Sequence, residues 1–464
     1  MKQMLPYGGW HSSISAADVA QTATRPGDLC VDGLDVYVSE ARPSEAGRAA
    51  IVRLVPAAKP PPPEDVLPAP FSARSRVHEY GGGAFCVRGG SLVFVNDSDQ
   101  ALYLRGPNER PRRLSPLEAS GQRRFAEPLI DAARERVLAV AEEHGGNREP
   151  ENSIVAVGFG GRTGRFESVL SGQHFYSSLR LSPDGRKLAW LSWRHPRMPW
   201  DGTELWVAEL DGRGLPRTPQ RVAGSATESI FQPEWDGSGQ LHFVSDRTGY
   251  WNLYRWDGSD TLASCPRDAD FGVPQWVFGL STHCFLPDGD LLCTLTEQGV
   301  WRLARRSSTT GLLRLLDLPY TEYSALRTAP NGAVLLAAGP TVSTTLLHFD
   351  AESEQVTSLR GFGIWAMNDA GNGPASGSRF SQPVPIEYPT SDGARSHALY
   401  YAPTNPDYEG PANERPPLLV RCHGGPTAQV STGLNLRTQY WTSRGFAVLE
   451  VNYRGSSGYG RAYR

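Results

Sequence analysis

Residues 414–464 read ERPPLLVRCHGGPTAQVSTGLNLRTQYWTSRGFAVLEVNYRGSSGYGRAYR. Leu418 to Cys422 is a short apolar run ending at His423-Gly424-Gly425-Pro426, as a buried strand does on meeting a glycine turn. Leu434 to Arg444 has the composition of a helix, and Gly445 is placed as its C′ residue. Phe446 to Val451 is a second apolar strand, followed by Asn452-Tyr453-Arg454-Gly455. Strand, helix, strand, with a Gly-rich loop after the first strand, opens an α/β sheet. Chemistry in such sheets sits at the carboxyl ends of strands. An HGG turn there suits an oxyanion hole, because glycine lets backbone N–H groups approach a developing negative charge. Two or three strand units cannot complete a doubly wound domain, so only the first part of one is expected.

Upstream, Val384 to Tyr388 and His397 to Tyr401 read as a strand pair about the turn Ser391-Asp392-Gly393. Gly371 to Ser378, GNGPASGS, reads as a linker. Before it the pattern is different. Short runs rich in Val, Leu, Phe, Tyr and Trp alternate with turns, among them Asp35 to Ser39, Ala50 to Leu54, Ser91 to Asn96, Leu102 to Arg105, Val137 to Ala141 and Ser153 to Val157. A loose repeat runs through this region. Ser182-Pro183-Asp184-Gly185, Gln232-Pro233-Glu234-Trp235, Leu286-Pro287-Asp288-Gly289 and Ala329-Pro330-Asn331-Gly332 each precede two strand-like runs. Their prolines are 50, 54 and 43 residues apart. That spacing is one propeller blade of four strands. The expected fold is therefore mainly β: a β-propeller of about seven blades, then the first part of an α/β domain. The expected segments are 1–27, an N-terminal stretch with a short helix near Ala16 to Gln21; 28–370, the propeller; 371–379, the linker; and 380–464, the incomplete α/β domain. Stacked β-sandwiches are the competing architecture.

Eight of the twelve tryptophans lie between Trp190 and Trp276, where packing between blades is the expected use. Net charge is −3 and basic residues are scattered, which argues against a nucleic-acid partner. Six cysteines form no CxxC pair and read as reduced thiols. The N-terminus has no apolar core of a signal peptide, and no apolar run is long enough for a membrane span. A cytoplasmic protein without a membrane partner is the expectation. His174, His195 and His283 show no metal spacing, and neither a metal nor a cofactor is expected. Homo-oligomerisation is left open.

Tyr7-Gly8-Gly9-Trp10, Val77 to Phe85 (VHEYGGGAF), Leu179 to Leu210, Glu228 to Arg255, His423 to Thr427 and Gln439 to Arg464 together resemble the prolyl oligopeptidase family of serine peptidases (S9). The resemblance is greatest to its acylaminoacyl-peptidase and dipeptidyl-aminopeptidase-like branch, and it extends over nearly the whole chain. It implies a propeller capping an α/β-hydrolase domain, of which 380–464 would be the incomplete first part, with short peptides cleaved in the cavity between them. The family nucleophile sits in a G-x-S-x-G elbow, and no such motif occurs in residues 1–464. The order Ser, Asp, His would place all three beyond Arg464, so the sequence reads as the N-terminal part of such an enzyme, without turnover of its own. His423 occupies the position where relatives carry an oxyanion-stabilising residue, a Tyr in some. Its imidazole, or the N–H groups of Gly424 and Gly425, would serve here. In the dipeptidyl branch, paired glutamates on the propeller bind the substrate's free amine, and two carboxylates suit an ammonium group. Glu142 and Glu143, with His144 and Glu149 nearby, are the candidates, against the plainer reading of a solvated acidic loop. HEYGGG at His78 to Gly83 reads as a blade turn. A non-catalytic peptide- or partner-binding propeller and an esterase on the same scaffold are the alternative functions.

Overall fold

The structure, a computed structural model, describes residues 2–57, 60–116, 122–146, 148–160, 166–363 and 380–464. The expected linker, 371–379, lies outside the described residues.

The alternation of apolar runs and turns builds seven four-stranded antiparallel sheets, each from one contiguous piece of chain. Their first strands are Arg25–Asp32, Phe85–Arg88, Arg123–Asp131, Phe175–Leu181, Ile230–Trp235, His283–Phe285 and Glu322–Ala329. Seven apolar clusters fill the gaps between successive sheets, one to a gap. The cluster holding Leu29, Val38, Val52, Val334, Leu346 and Phe362 joins the seventh sheet to the first. The result is a closed propeller-like ring of seven blades. Closure is by side-chain packing, since among the described residues no sheet borrows a strand from the other end of the ring. Arg360 of blade 7 adds a charged clasp, with Nε 2.5 Å from the wholly buried carboxylate of Glu40 in blade 1. Trp190, Trp235, Trp251 and Trp256 fill gaps between blades, whereas Trp193 and Trp276 line a cavity. The four proline landmarks are not equivalent. Pro183, Pro287 and Pro330 sit in turns, but Pro233 lies inside the strand Ile230–Trp235.

In five blades the first strand slips register, at Pro26/Leu29, Ala126/Leu129, Ser177/Arg180, Phe231/Glu234 and Ser324/Arg327. A bulge re-aims the side chains around it. Here it turns polar groups onto two loops that meet at the ring axis. One loop is the HEYGGG segment, which is therefore no ordinary blade turn. Gly81, Gly82 and Gly83 all have positive φ (68°, 89° and 53°), a conformation that favours glycine. The other loop is 273–282. Phe278 N–H donates to Gly81 O at 2.8 Å. Asp28 of blade 1 accepts from the amides of Gly83 (3.2 Å) and Ala84 (2.8 Å). Glu127 of blade 3 accepts from Gly279 N–H (3.4 Å), and Arg327 of blade 7 donates to Gly279 O (2.7 Å). Gln232 of blade 5 donates to Ser281 Oγ (2.9 Å). Ties from four blades make the two loops a septum across the channel. A cavity of about 820 Å³ on one side is bounded by Arg25 and Glu322, at the starts of first strands, and by Ala428 and Ser457 of the C-terminal part. A cavity of about 660 Å³ on the other side is bounded by the ends of those strands, Val31, Trp235 and Thr328 among them.

Past the ring, a mixed sheet runs in the order Pro383–Pro389, Arg395–Tyr401, Ala447–Asn452, Leu418–Cys422, with the last pair parallel. The strand expected at Phe446 to Val451 is displaced by one residue and has partners on both sides. The outer edge of Leu418–Cys422 has no strand partner among the described residues, and Leu418 and Val420 are exposed. The helix is shorter than expected, Leu436–Thr442. Asn435 caps its start and Ser443 its end, so Gly445 falls one position beyond C′. The N-terminal segment packs here rather than on the ring. Gln3–Met4 pairs with Tyr408–Glu409, and Arg444 donates to Ile14 O at 2.8 Å. Ser15 and Asp18 form a capping box on the helix Ala16–Ala20. No helix among the described residues is long and apolar enough to cross a membrane.

The segment 458–464 returns to the ring. Gly460 N–H donates to Asp270 at 3.1 Å. Arg464 Nη2 lies 2.5 Å from Asp246, which also pairs with Arg461. The Arg464 guanidinium lies over Trp251, 3.7 Å from the ring centroid.

Candidate active site

Strand Leu418–Cys422 carries the chain to His423 at its carboxyl end, beside the end of its parallel neighbour. The imidazole stacks on Tyr453, with ring centroids 4.4 Å apart, and Tyr453 Oη–H donates to His423 O at 2.9 Å. His423 Nδ1 lies 2.8 Å from Gly424 O, and Nε2 lies 2.8 Å from Ser456 Oγ. A carbonyl oxygen can only accept, so Nδ1 carries the proton and Nε2 accepts from the serine hydroxyl. Both ring nitrogens are thus engaged, and neutral His423 has no N–H to offer a ligand. The glycine amides do: Gly424 and Gly425 are exposed, and among the described residues neither N–H donates to a backbone acceptor. Gly425 has φ 141°, and a Cβ there would lie 2.9 Å from Thr427 N. Of the two donors expected from the sequence, the glycine amides have no backbone acceptor among the described residues, and the imidazole is engaged at both nitrogens.

The loop is tied to the ring by Trp276, whose Nε1–H donates to Thr427 O at 2.6 Å. Trp276 also walls a cavity of about 340 Å³ in the ring, with Tyr80, Phe175, Trp193, Glu142 and Glu149. Glu142, at the end of strand Arg136–Glu143, is buried. It accepts from His78 N–H at 2.9 Å and lies 2.6 Å from His144 Nε2. Glu143 is not beside it. Neighbouring strand residues point to opposite faces, and Glu143 is exposed on the far face, paired with Arg123. The structure therefore does not bring the two glutamates together; the cavity's other carboxylates are Glu79, Glu127 and Glu149. The floor is aromatic. His78 packs against Phe175 (5.0 Å) and Phe278 (4.8 Å), and burial pushes its imidazole down to about 4. It is neutral, and Nε2–H donates to Asn152 Oδ1 at 3.3 Å. The contacts of Trp276 and Ser456 with this loop are ones the sequence does not announce. A tryptophan within the long connection between blades 5 and 6 was the available sign of the first. His195 N–H donates to His174 Nδ1 at 3.2 Å, His283 lies apart in the first strand of blade 6, and among the described residues no group of three or more His, Cys, Asp or Glu could hold a metal ion.

No protein-family model matches the chain. A puromycin-hydrolysing peptidase of Mycobacterium tuberculosis is 36% identical with a TM-score of 0.89, over 99% of this chain and 71% of that one. A puromycin hydrolase complexed with PGG is 35% identical with a TM-score of 0.88, over the same shares. Dipeptidyl-peptidase 5 of Aspergillus fumigatus is 24% identical over 324 residues, 62% of this chain and 40% of the relative. Dipeptidyl aminopeptidase BIII of Pseudoxanthomonas mexicana is 36% identical over 81 residues, 17% of this chain and 12% of the relative. The chain thus aligns with less than half the length of these two curated relatives. A prolyl endopeptidase at 12% identity has a TM-score of 0.71 and shares the fold. With over a third of its residues identical across almost its whole length, on the same course of chain, the protein belongs to the prolyl oligopeptidase (S9) family of serine peptidases.

Proposed function

We propose that this chain supplies the substrate-selecting ring and the opening part of the α/β-hydrolase domain of a serine peptidase acting on short peptides. Its segments are 28–370 for the ring, 371–379 for the linker and 380–464 for the hydrolase part. The nucleophile, acid and base of its Ser-Asp-His triad lie in chain beyond residue 464, and residues 1–464 alone do not turn over peptide. In the complete active site the Ser would attack the peptide carbonyl, with His as base and Asp orienting it, through an acyl-enzyme. The amides of Gly424 and Gly425 would receive the negative charge that develops on the carbonyl oxygen. Glu142, seconded by Glu149 rather than by Glu143, would hold the ammonium group of a free peptide N-terminus.

One observation carries this reading. The carboxylate-bearing aromatic cavity of the ring is joined through Trp276 to the loop that presents the free glycine amides. Amine recognition and carbonyl activation would then be neighbours, as cleavage near a free N-terminus requires. The names of the relatives, all peptidases or hydrolases, point the same way.

The test uses the reading frame continued past codon 464. It should encode G-x-S-x-G, then Asp, then His, and the longer protein should cleave peptide amides and be stopped by a serine-directed inhibitor. Glu142→Gln in that protein should raise KM for short peptides with a free amine by about 10- to 150-fold, the worth of one charge-assisted hydrogen bond. N-acetylated peptides should be unaffected. An equal loss on both peptide sets would remove Glu142 from amine binding, and turnover of esters without amides would replace peptidase by esterase.

A further inference from the structure

We propose that Trp276 is a positioning residue: its indole N–H, by holding the carbonyl of Thr427, fixes the direction in which Gly424 and Gly425 present their amides. The inference rests on the reading of 423–427 as the oxyanion-binding loop.

The indole is a fixed post. It packs on Trp200, itself buried, with ring centroids 4.5 Å apart, and stands edge-to-face with Tyr80 at 5.3 Å. One residue before it, the Gln275 side-chain amide donates to Ile230 O at 2.8 Å. Two residues after it, Phe278 N–H donates to Gly81 O at 2.8 Å. The loop it meets has less support. Thr427 is buried, and among the described residues its carbonyl has one donor, Trp276 Nε1–H at 2.6 Å. A buried carbonyl without a donor is costly. With the indole N–H gone, the loop gains by turning Thr427 O elsewhere.

That turn reaches the glycines. At the start of the span, Tyr453 Oη–H donates to His423 O at 2.9 Å; at its end, Trp276 holds Thr427. Between the two anchors lie Gly424, Gly425 and Pro426. The proline ring fixes its own φ, so most of the soft torsions belong to the two glycines, which have no Cβ to resist rotation. While both ends are held, those torsions are set together. With Thr427 released, the next hold from outside the span is Ala428 O, which accepts from Ser457 N–H at 2.8 Å. The free span grows by one residue and its two backbone dihedrals. The amides are then loosened but not removed. The seating of the ring on the mixed sheet survives, because Glu322 still accepts from Gly433 N–H at 3.1 Å and Asp270 from Gly460 N–H at 3.1 Å. Trp276 therefore acts on the loop alone.

The test uses 3-benzothienylalanine at position 276, which keeps the shape of the indole and replaces its N–H by sulfur. In the 464-residue chain, a crystal structure of this variant should show Thr427 O turned away from position 276 and the 424–425 peptide redirected. An unchanged course of 423–427 overturns the proposal. In the longer protein the same replacement should lower kcat about tenfold, short of the roughly hundredfold or greater loss typical when a donor is removed outright. KM should hold, since the aromatic wall of the cavity is kept. The loss should be equal on free-amine and N-acetylated peptides, because every carbonyl uses the same amides. Trp276→Phe, which also lacks the N–H, should repeat the fall in kcat. An unchanged kcat refutes the positioning role. So does a loss confined to free-amine peptides, which would make Trp276 a wall of the amine cavity and nothing more. A longer protein without serine-type turnover refutes the functional reading instead, and leaves the result on the loop to stand by itself.

Discussion

Asp246 holds the end of the described chain to the ring, and replacing it should be costly. Its side chain is fully buried between two arginines. Arg464 Nη2 is 2.5 Å away, with its own side chain 4% exposed, and Arg461 pairs with the same carboxylate. Ser229 N–H also donates to it, at 2.7 Å. Asp246→Ala would leave Arg464 buried over Trp251 without its hydrogen-bonded counter-charge, with Asp270 the remaining carboxylate acting on it. Breaking a buried pair by removing one partner costs about 3–5 kcal/mol. Asp246→Asn keeps the shape and can still accept from Ser229, so its cost should be smaller, about 1–3 kcal/mol. Removing the stranded cation should recover part of the loss. Asp246→Ala combined with Arg464→Ala should therefore cost less than the two singles added, by about 0.5–3 kcal/mol. Urea unfolding of the 464-residue chain, followed by tryptophan fluorescence, measures all four species, with Trp251 reporting directly on the contact. An Asp246→Ala protein within about 1 kcal/mol of wild type would refute the argument, since exposed pairs are worth no more than that. So would single costs that simply add.

Gly82→Ala should destabilise more than Gly33→Ala. Both have positive φ, but a Cβ at Gly82 would lie 2.5 Å from Phe278 O, while one at Gly33 meets nothing within 4 Å. The left-handed backbone alone costs each about 1–3 kcal/mol, so equal urea midpoints for the two variants would mean that the two loops do not meet. Burial pushes the His283 imidazole down to about 3, so it stays neutral in the folded chain where an unfolded imidazole, near 6.5, takes up a proton. Its contribution to stability is complete above pH 6.5 and is lost as pH falls towards 3, at up to about 1.4 kcal/mol per pH unit. Wild type should therefore weaken relative to His283→Gln over that range, and parallel stability curves would contradict the assignment.

The residues legible as strands were a particular subset. Asp35 to Ser39 with Ala50 to Leu54, Ser91 to Asn96 with Leu102 to Arg105, and Val137 to Ala141 with Ser153 to Val157 are the two middle strands of blades 1, 2 and 3. Middle strands are buried on both faces and read as dense apolar runs. First strands did not, because the bulges at Glu127, Ser178, Gln232 and Ala325 break the two-residue period. Outer strands such as Pro216–Gly224 are largely exposed and carry little apolar signal. At the site, the HGG turn was legible because glycines after an apolar strand are a local pattern. The loss of His423 as a donor was not, since it depends on Ser456 and on a carbonyl direction that only the fold sets. Glu142 and Glu143 looked like a pair because they are adjacent in sequence, and on a strand adjacency is what separates them.

The septum also changes what the ring can be. An open propeller is a pipe, with two mouths and a through-path; here two backbone loops, tied from four blades, stand between one cavity and the other. A ligand on the side of the mixed sheet meets that backbone before it meets the far cavity. A chain approaching by its middle would need both flanks to share one rim, while a chain approaching by its end brings only one. Sorting by ends would then follow from how a floor is laid, before any side chain makes a choice.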